Sequence, residues 1–81
     1  MSIKVLIADD HQLFREGLVN LLSNVDDIEV IGQAENGKET IEKVKKLNPD
    51  VVLIDIGMPL MNGIEATRIL KKEYRKLKII A

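Results

Sequence analysis

The chain has 81 residues, room for one domain and not two. Hydrophobic residues make up 46% and charged residues 31%, with a net charge of −1, so no global basic field exists to draw in nucleic acid. It has no cysteine, which excludes disulfides and thiol chemistry and fits a reducing compartment.

The first segment, IKVLIA (3–8), is short, apolar on consecutive positions and rich in β-branched residues. It reads as a strand covered on both faces, as in the centre of a parallel sheet. Acidic residues cut it off. It is too short for a secretory leader or a membrane span, and the chain reads as cytoplasmic. HQLFREGLVNLLSN (11–24) follows, with Leu13, Phe14, Gly17, Leu18, Leu21 and Leu22 at helical spacing. Arg15, Glu16 and Asn20 fall on the other side of that helix. EVIGQA (29–34) is the second strand. Asn36 is placed to cap a helix over GKETIEKVKKL (37–47), whose buried stripe is Ile41, Val44 and Leu47. Asn48-Pro49 stops it.

VVLI (51–54) is the third strand, again apolar throughout, and it ends on Asp55. A third helix is expected from Gly63 or Ile64 to Tyr74, burying Ile64, Thr67 and Ile69 or Leu70. LKIIA (77–81) is the fourth strand. Phe14 and Tyr74 are the only aromatics, so the core must be made of Ile, Leu and Val. The order β-α-β-α-β-α-β implies right-handed crossovers and an open, doubly wound parallel α/β sheet. No linker or repeat interrupts it. Nothing follows the fourth strand to cover it, so the expected fold is an incomplete one.

In such sheets ligands bind beyond the C-terminal ends of the strands. Asp9 and Asp10 follow the first strand and Asp55 the third. If those strands are neighbours, three carboxylates converge. Two of them about 5 Å apart repel by roughly 3 kcal/mol at an effective dielectric near 20. Either one acid is held protonated, or a divalent cation sits among them. A set of oxygen donors, with no His or Cys counted near it, favours Mg²⁺ and leaves positions for a phosphoryl group. The plainer alternative makes Asp9 or Asp10 a helix cap. The turn Gly57-Met58-Pro59 lets backbone approach a ligand, or is an ordinary strand-to-helix loop.

The pieces IADDHQLFREGL (7–18), ENGKETI (35–41) and PDVVLIDIGMPLMNGIEATRILK (49–71) together resemble the receiver domain of bacterial two-component response regulators, a flavodoxin-like, CheY-like fold. The resemblance runs from Ile3 to Ala81. The run DDHQLFREGL is similar to the NarL/FixJ (LuxR-type) subfamily, whose members carry a DNA-binding domain after the receiver. It implies that Asp55 is the phosphoacceptor, taking its phosphoryl group from a histidine kinase with Mg²⁺ present. Asp10 would bind the metal directly, Asp9 largely through water, and Gly57 through its backbone carbonyl. It implies a signalling domain, not an enzyme.

The family also needs a Thr or Ser after the fourth strand and a Lys after the fifth. Neither position is present, and Thr40, Thr67, Lys76 and Lys78 stand elsewhere. The chain therefore reads as the N-terminal part of a receiver (1–81), without an effector domain and without switch output.

His11 reads as a partly exposed first-turn residue. The stretches Lys38–Lys46 and KKEYRK (71–76) read as solvated helix faces, and Met58 and Met61 as loop packing. A competing reading is an excised or engineered half-fold without signalling activity that self-associates through its fourth strand as a homodimer or higher oligomer. A phosphatase of the haloacid dehalogenase type wants an acid at the position of Gly57. A nicotinamide-binding fold lacks its Gly-rich loop.

Overall fold

The structure is a computed structural model that describes residues 2–55 and 63–80. The strands are β1 (Ile3–Ala8), β2 (Ile28–Ala34), β3 (Val51–Ile54) and β4 (Lys78–Ile80). The helices are α1 (Gln12–Ser23), α2 (Gly37–Leu47) and α3 (Gly63–Glu73). Strands and helices alternate, and the four strands pair in parallel in the order β2-β1-β3-β4. This is the doubly wound parallel architecture expected from the alternating pattern. β4 is the outer strand beyond β3.

One face of the sheet is fully built. Leu6, Ala8, Val52 and Ile54 pack with Ala34, Val44 of α2, Ala66 and Leu70 of α3, and Leu77, all nearly inaccessible to solvent. Ile41, Leu47, Tyr74 and Ile79 close over this cluster. A buried Leu or Ile contributes about 1.5–3 kcal/mol relative to an exposed one, so this layer carries most of the stability.

The ends of α2 follow from local chemistry. Asn36 accepts a hydrogen bond from the Glu39 N–H at 2.8 Å through its side-chain oxygen, and Glu39 in turn accepts from the Glu35 N–H at 3.3 Å. The first bond satisfies a donor that a helix start leaves open, and the second ties the residue before the cap to the first turn. At the other end Asn48 adopts the left-handed conformation (φ 53°), donating its N–H to Val44, and Pro49 prevents continuation. α2 lies so close to β2 that a Cβ on Gly32 would stand 2.7 Å from Leu47 Cδ1. The β1–β2 register also slips by one residue here: Val5 pairs with Val30 but Leu6 with Gly32.

α1 departs from the sequence expectation. Leu13, Phe14 and Leu21 are exposed, at 85%, 58% and 66%, whereas Arg15 is buried. Of the expected stripe the helix keeps Leu18 and Leu22 half-buried, and it adds Val19 and Arg15 to that face. These recur at i, i+3, i+4 and i+7, a valid helical stripe that passes through an arginine. α1 packs on β1 and β2, and no other described helix flanks it on that side of the sheet. Among the described residues no helix covers its remaining apolar side chains. In α3 the buried positions are Ala66 and Leu70, with Thr67 and Ile69 half-buried, whereas Ile64 is 55% exposed. Ile64 lies in the first turn, two residues ahead of the contact stripe.

Asn36→Ala removes the cap and should lower unfolding free energy by about 1 kcal/mol, with Asn36→Gly costing less. Urea denaturation of the two variants checks this order.

Candidate functional site

The register of β1 on β3 positions the acids. Ala8 pairs with Ile54, so the next residues, Asp9 and Asp55, leave the sheet side by side. Backbone bonds hold both at the rim: Asp55 N–H donates to the Ala8 carbonyl at 2.9 Å, and Asp9 N–H to the Ala34 carbonyl at 3.0 Å. Asp9 is buried and its neighbours less so, with the Asp10 and Asp55 side chains about a third exposed. Oxygen atoms of Asp9, Asp10 and Asp55 and a ring nitrogen of His11 all lie within 4.8 Å of one another. The three carboxylates named from the sequence thus form one group.

His11 belongs to that group, which the sequence reading did not foresee. Its Nδ1 is 3.0 Å from Asp9 Oδ1, 3.1 Å from Asp10 Oδ1 and 3.8 Å from Asp55 Oδ2. Its side chain is nonetheless 72% exposed, and it stands at the N-cap of α1, so the expected exposure and position hold. What fails is the premise of an all-oxygen donor set. His11 is drawn in because its own N–H donates to Asp9 Oδ1 at 2.8 Å, which fixes the ring's base beside the acids. Asp9 is not the cap of α1: His11 stands at the N-cap and makes no side-chain cap bond, while the Asp9 carboxylate accepts from the His11 N–H and meets its ring Nδ1 at 3.0 Å. The hydrogen bond to Asp9, then the charge of Asp10, raise the His11 pKa above its ordinary value near 6.5.

Arg15 is the second residue that sequence reasoning missed. It is 8% exposed, and its Nη1 donates to the Asp9 carbonyl at 2.7 Å, while Nε donates to Gln33 Oε1 at 2.9 Å. One guanidinium therefore ties the start of α1 to the ends of β1 and β2. It reaches the backbone of Asp9 and fixes where that residue's side chain begins.

Gly57, Met58, Pro59 and Met61 lie outside the described residues. Thr40 is buried in α2 and bonds the Asn36 carbonyl at 2.7 Å, and Thr67 is on α3. Lys78 opens β4, at the opposite end of the sheet from the acids. A hollow of about 650 Å³ there, lined by Asn48, Asp50, Lys72, Arg75 and Lys78 among others, contains none of the clustered acids.

The profile of the response regulator receiver domain matches residues 5–81. The transcriptional regulatory protein DegU of Brevibacillus brevis is 47% identical over 79 residues, 98% of this chain and 34% of that protein. The response regulator GacA of Pseudomonas syringae pv. syringae is 44% identical over 79 residues, again 98% of this chain and 37% of that protein. Among solved structures, the signal receiver domain of the response regulator NarL from Mycobacterium tuberculosis superposes with a TM-score of 0.87 at 35% identity, covering 96% of this chain and 63% of that one. The chain belongs to the response regulator receiver family. It spans about a third of the length of these curated relatives.

Two outcomes follow from this geometry. Arg15→Met leaves the Asp9 carbonyl without its buried partner and should cost about 2 kcal/mol of stability, measurable by denaturant titration. His11 has a raised pKa, so its contribution to stability is complete below pH 6.5 and is lost as pH rises through the folded-state value. In a chelating buffer, wild type should melt above His11→Gln at pH 5.5, and the two should coincide at pH 9.

Proposed function

We propose that this chain is a phosphoacceptor, taking a phosphoryl group from the phosphohistidine of a histidine kinase onto Asp55. The observation that carries this is the meeting of Asp55 with Asp9 and Asp10 at one rim of the sheet, in a chain of the receiver family. The carboxylate oxygen of Asp55 attacks phosphorus in line with the departing imidazole. The N–P bond breaks with its electron pair going to nitrogen, and an O–P bond forms, leaving an acyl phosphate. Positioning and charge stabilisation supply nearly all of the rate in such transfers.

Asp9 and Asp10 would hold the cation that makes this possible, Asp10 directly and Asp9 largely through water, and the family resemblance adds the backbone carbonyl of Gly57. The three carboxylates fit a small hard cation, since their oxygens lie close enough to share one ion and their mutual repulsion is relieved by it. When bound, Mg²⁺ neutralises charge on the transferring phosphoryl oxygens. Asp55 must stay ionised to act as nucleophile, and its partial exposure keeps the approach open. A parent protein that regulates transcription in the cytoplasm is part of this reading, supported by relatives such as DegU. Among the described residues no helix is long and apolar enough to cross a membrane.

Incubation with acetyl phosphate and Mg²⁺ should add one phosphoryl group to the wild-type chain and none to Asp55→Asn, read by intact-mass spectrometry. Equal labelling of both rejects Asp55 as acceptor. Mg²⁺ alone should raise stability by about 1.4 kcal/mol for each tenfold excess over its dissociation constant.

A self-associating reading is favoured by the apolar surface beside the acids. Phe14, Leu18, Ile7, Leu53 and Ile80 line a hollow of about 330 Å³ between α1 and β4 that also reaches Asp9 and Asp55. An edge strand next to bare apolar surface is a template for another chain. A two-fold homodimer across β4 would bury both. Sedimentation at micromolar concentration should give a dimer, and Phe14→Glu should shift it to monomer. A monomer in wild type sinks this reading and leaves the phosphoacceptor one intact.

A further inference from the structure

We infer that His11 is a ligand of the divalent ion held by this acidic group, and that its imidazole turns the site from a magnesium site toward one that prefers first-row transition ions. The inference rests on the metal-binding reading above. It adds a residue and a selectivity to it.

The argument starts from spacing. Nitrogen and oxygen ligands sit about 2.0–2.2 Å from such ions, so adjacent ligands in an octahedral or tetrahedral shell are about 3.0–3.6 Å apart. His11 Nδ1 is 3.0, 3.1 and 3.8 Å from oxygens of Asp9, Asp10 and Asp55. The nitrogen therefore stands at ligand-to-ligand distance from Asp9 and Asp10, with the Asp55 oxygen just beyond it. A histidine that merely capped a helix or paired with one acid would not need to be equidistant from both members of the acidic pair.

The ring is also anchored. The His11 N–H is bonded to Asp9 Oδ1, so the backbone that carries the imidazole is tied to one of the ligand carboxylates. The Asp9 backbone is tied in turn by Arg15. Little rearrangement is needed to bring nitrogen and oxygen donors onto one ion.

Donor chemistry then sets the selectivity. Mg²⁺ is hard, takes oxygen ligands and keeps its waters. Imidazole suits Co²⁺, Ni²⁺ and Zn²⁺, and affinity at mixed nitrogen–oxygen sites rises from Mn²⁺ through Co²⁺ and Ni²⁺. Three carboxylates alone give the transition ions a modest lead. The added nitrogen widens it, and only that increment depends on His11.

The test uses the 81-residue chain freed of metal, at pH 8, with Mg²⁺, Co²⁺ and Ni²⁺ titrated separately into wild type, His11→Gln and Asp55→Asn. Affinity is read from melting-temperature shifts, and ligation from the visible absorption of bound Co²⁺. His11→Gln should weaken Co²⁺ and Ni²⁺ by at least about tenfold, change the Co²⁺ spectrum, and leave Mg²⁺ within about twofold. His11→Asn provides a second variant with the same expectation. If both variants keep wild-type Co²⁺ affinity and spectrum, the inference is overturned, while the magnesium reading stands. If wild type binds none of the ions, or Asp55→Asn binds all of them equally well, both fall together.

Discussion

The parallel pairing of β1 with β3 is the constraint on which the site depends. Its register sets Ala8 against Ile54, and that alone delivers Asp9 and Asp55 to the same point on the rim. Had the pairing slipped by one residue, the pleat would send one of the two acids to the opposite face of the sheet. The register is held because slipping it would also turn either Leu6 and Ala8 or Val52 and Ile54 out of the layer they share with α2 and α3. Hydrophobic burial on one face thus fixes electrostatics at the edge. The converging acids repel, by roughly 3 kcal/mol per close pair in a medium of intermediate dielectric, and the core stabilises the arrangement against that.

Much of this was legible in the sequence. Continuous apolar runs gave the strands, and their alternation with amphipathic stretches gave the parallel topology. Asn36 and Asn48-Pro49 gave α2 its ends. The placing of Asp9, Asp10 and Asp55 just after strands one and three gave their convergence, because strand ends are local and the βαβ rule is general.

The rest was hidden for physical reasons. Arg15 was assigned to the solvent side because a charge normally is, yet a long side chain can be buried when its guanidinium meets a carbonyl and an amide oxygen. A signal did exist: Leu18, Val19 and Leu22 lie three, four and seven residues after Arg15 and outline the stripe that contains it. In the sequence His11 reads as a partly exposed first-turn residue following the acidic pair. Whether its ring turned toward the acids depended on a bond between its own N–H and Asp9, a detail of one turn that residue types do not encode. The bare flank of α1 is likewise a property of what packs around a helix, and periodicity within the helix cannot reveal it.

These hidden contacts make the site asymmetric. Asp9 is bonded through its carboxylate to His11, its N–H to Ala34 and its carbonyl to Arg15, so it is the fixed member of the group. The Asp10 and Asp55 side chains are more exposed, at 30% and 28%. Asp55 has its backbone N–H pinned to the Ala8 carbonyl. Under the phosphoacceptor reading, a phosphoryl group on Asp55 would replace one negative charge with a larger one, and a cation or imidazolium among the acids would absorb the difference. His11 is placed for that, its Nδ1 standing 3.0, 3.1 and 3.8 Å from oxygens of Asp9, Asp10 and Asp55.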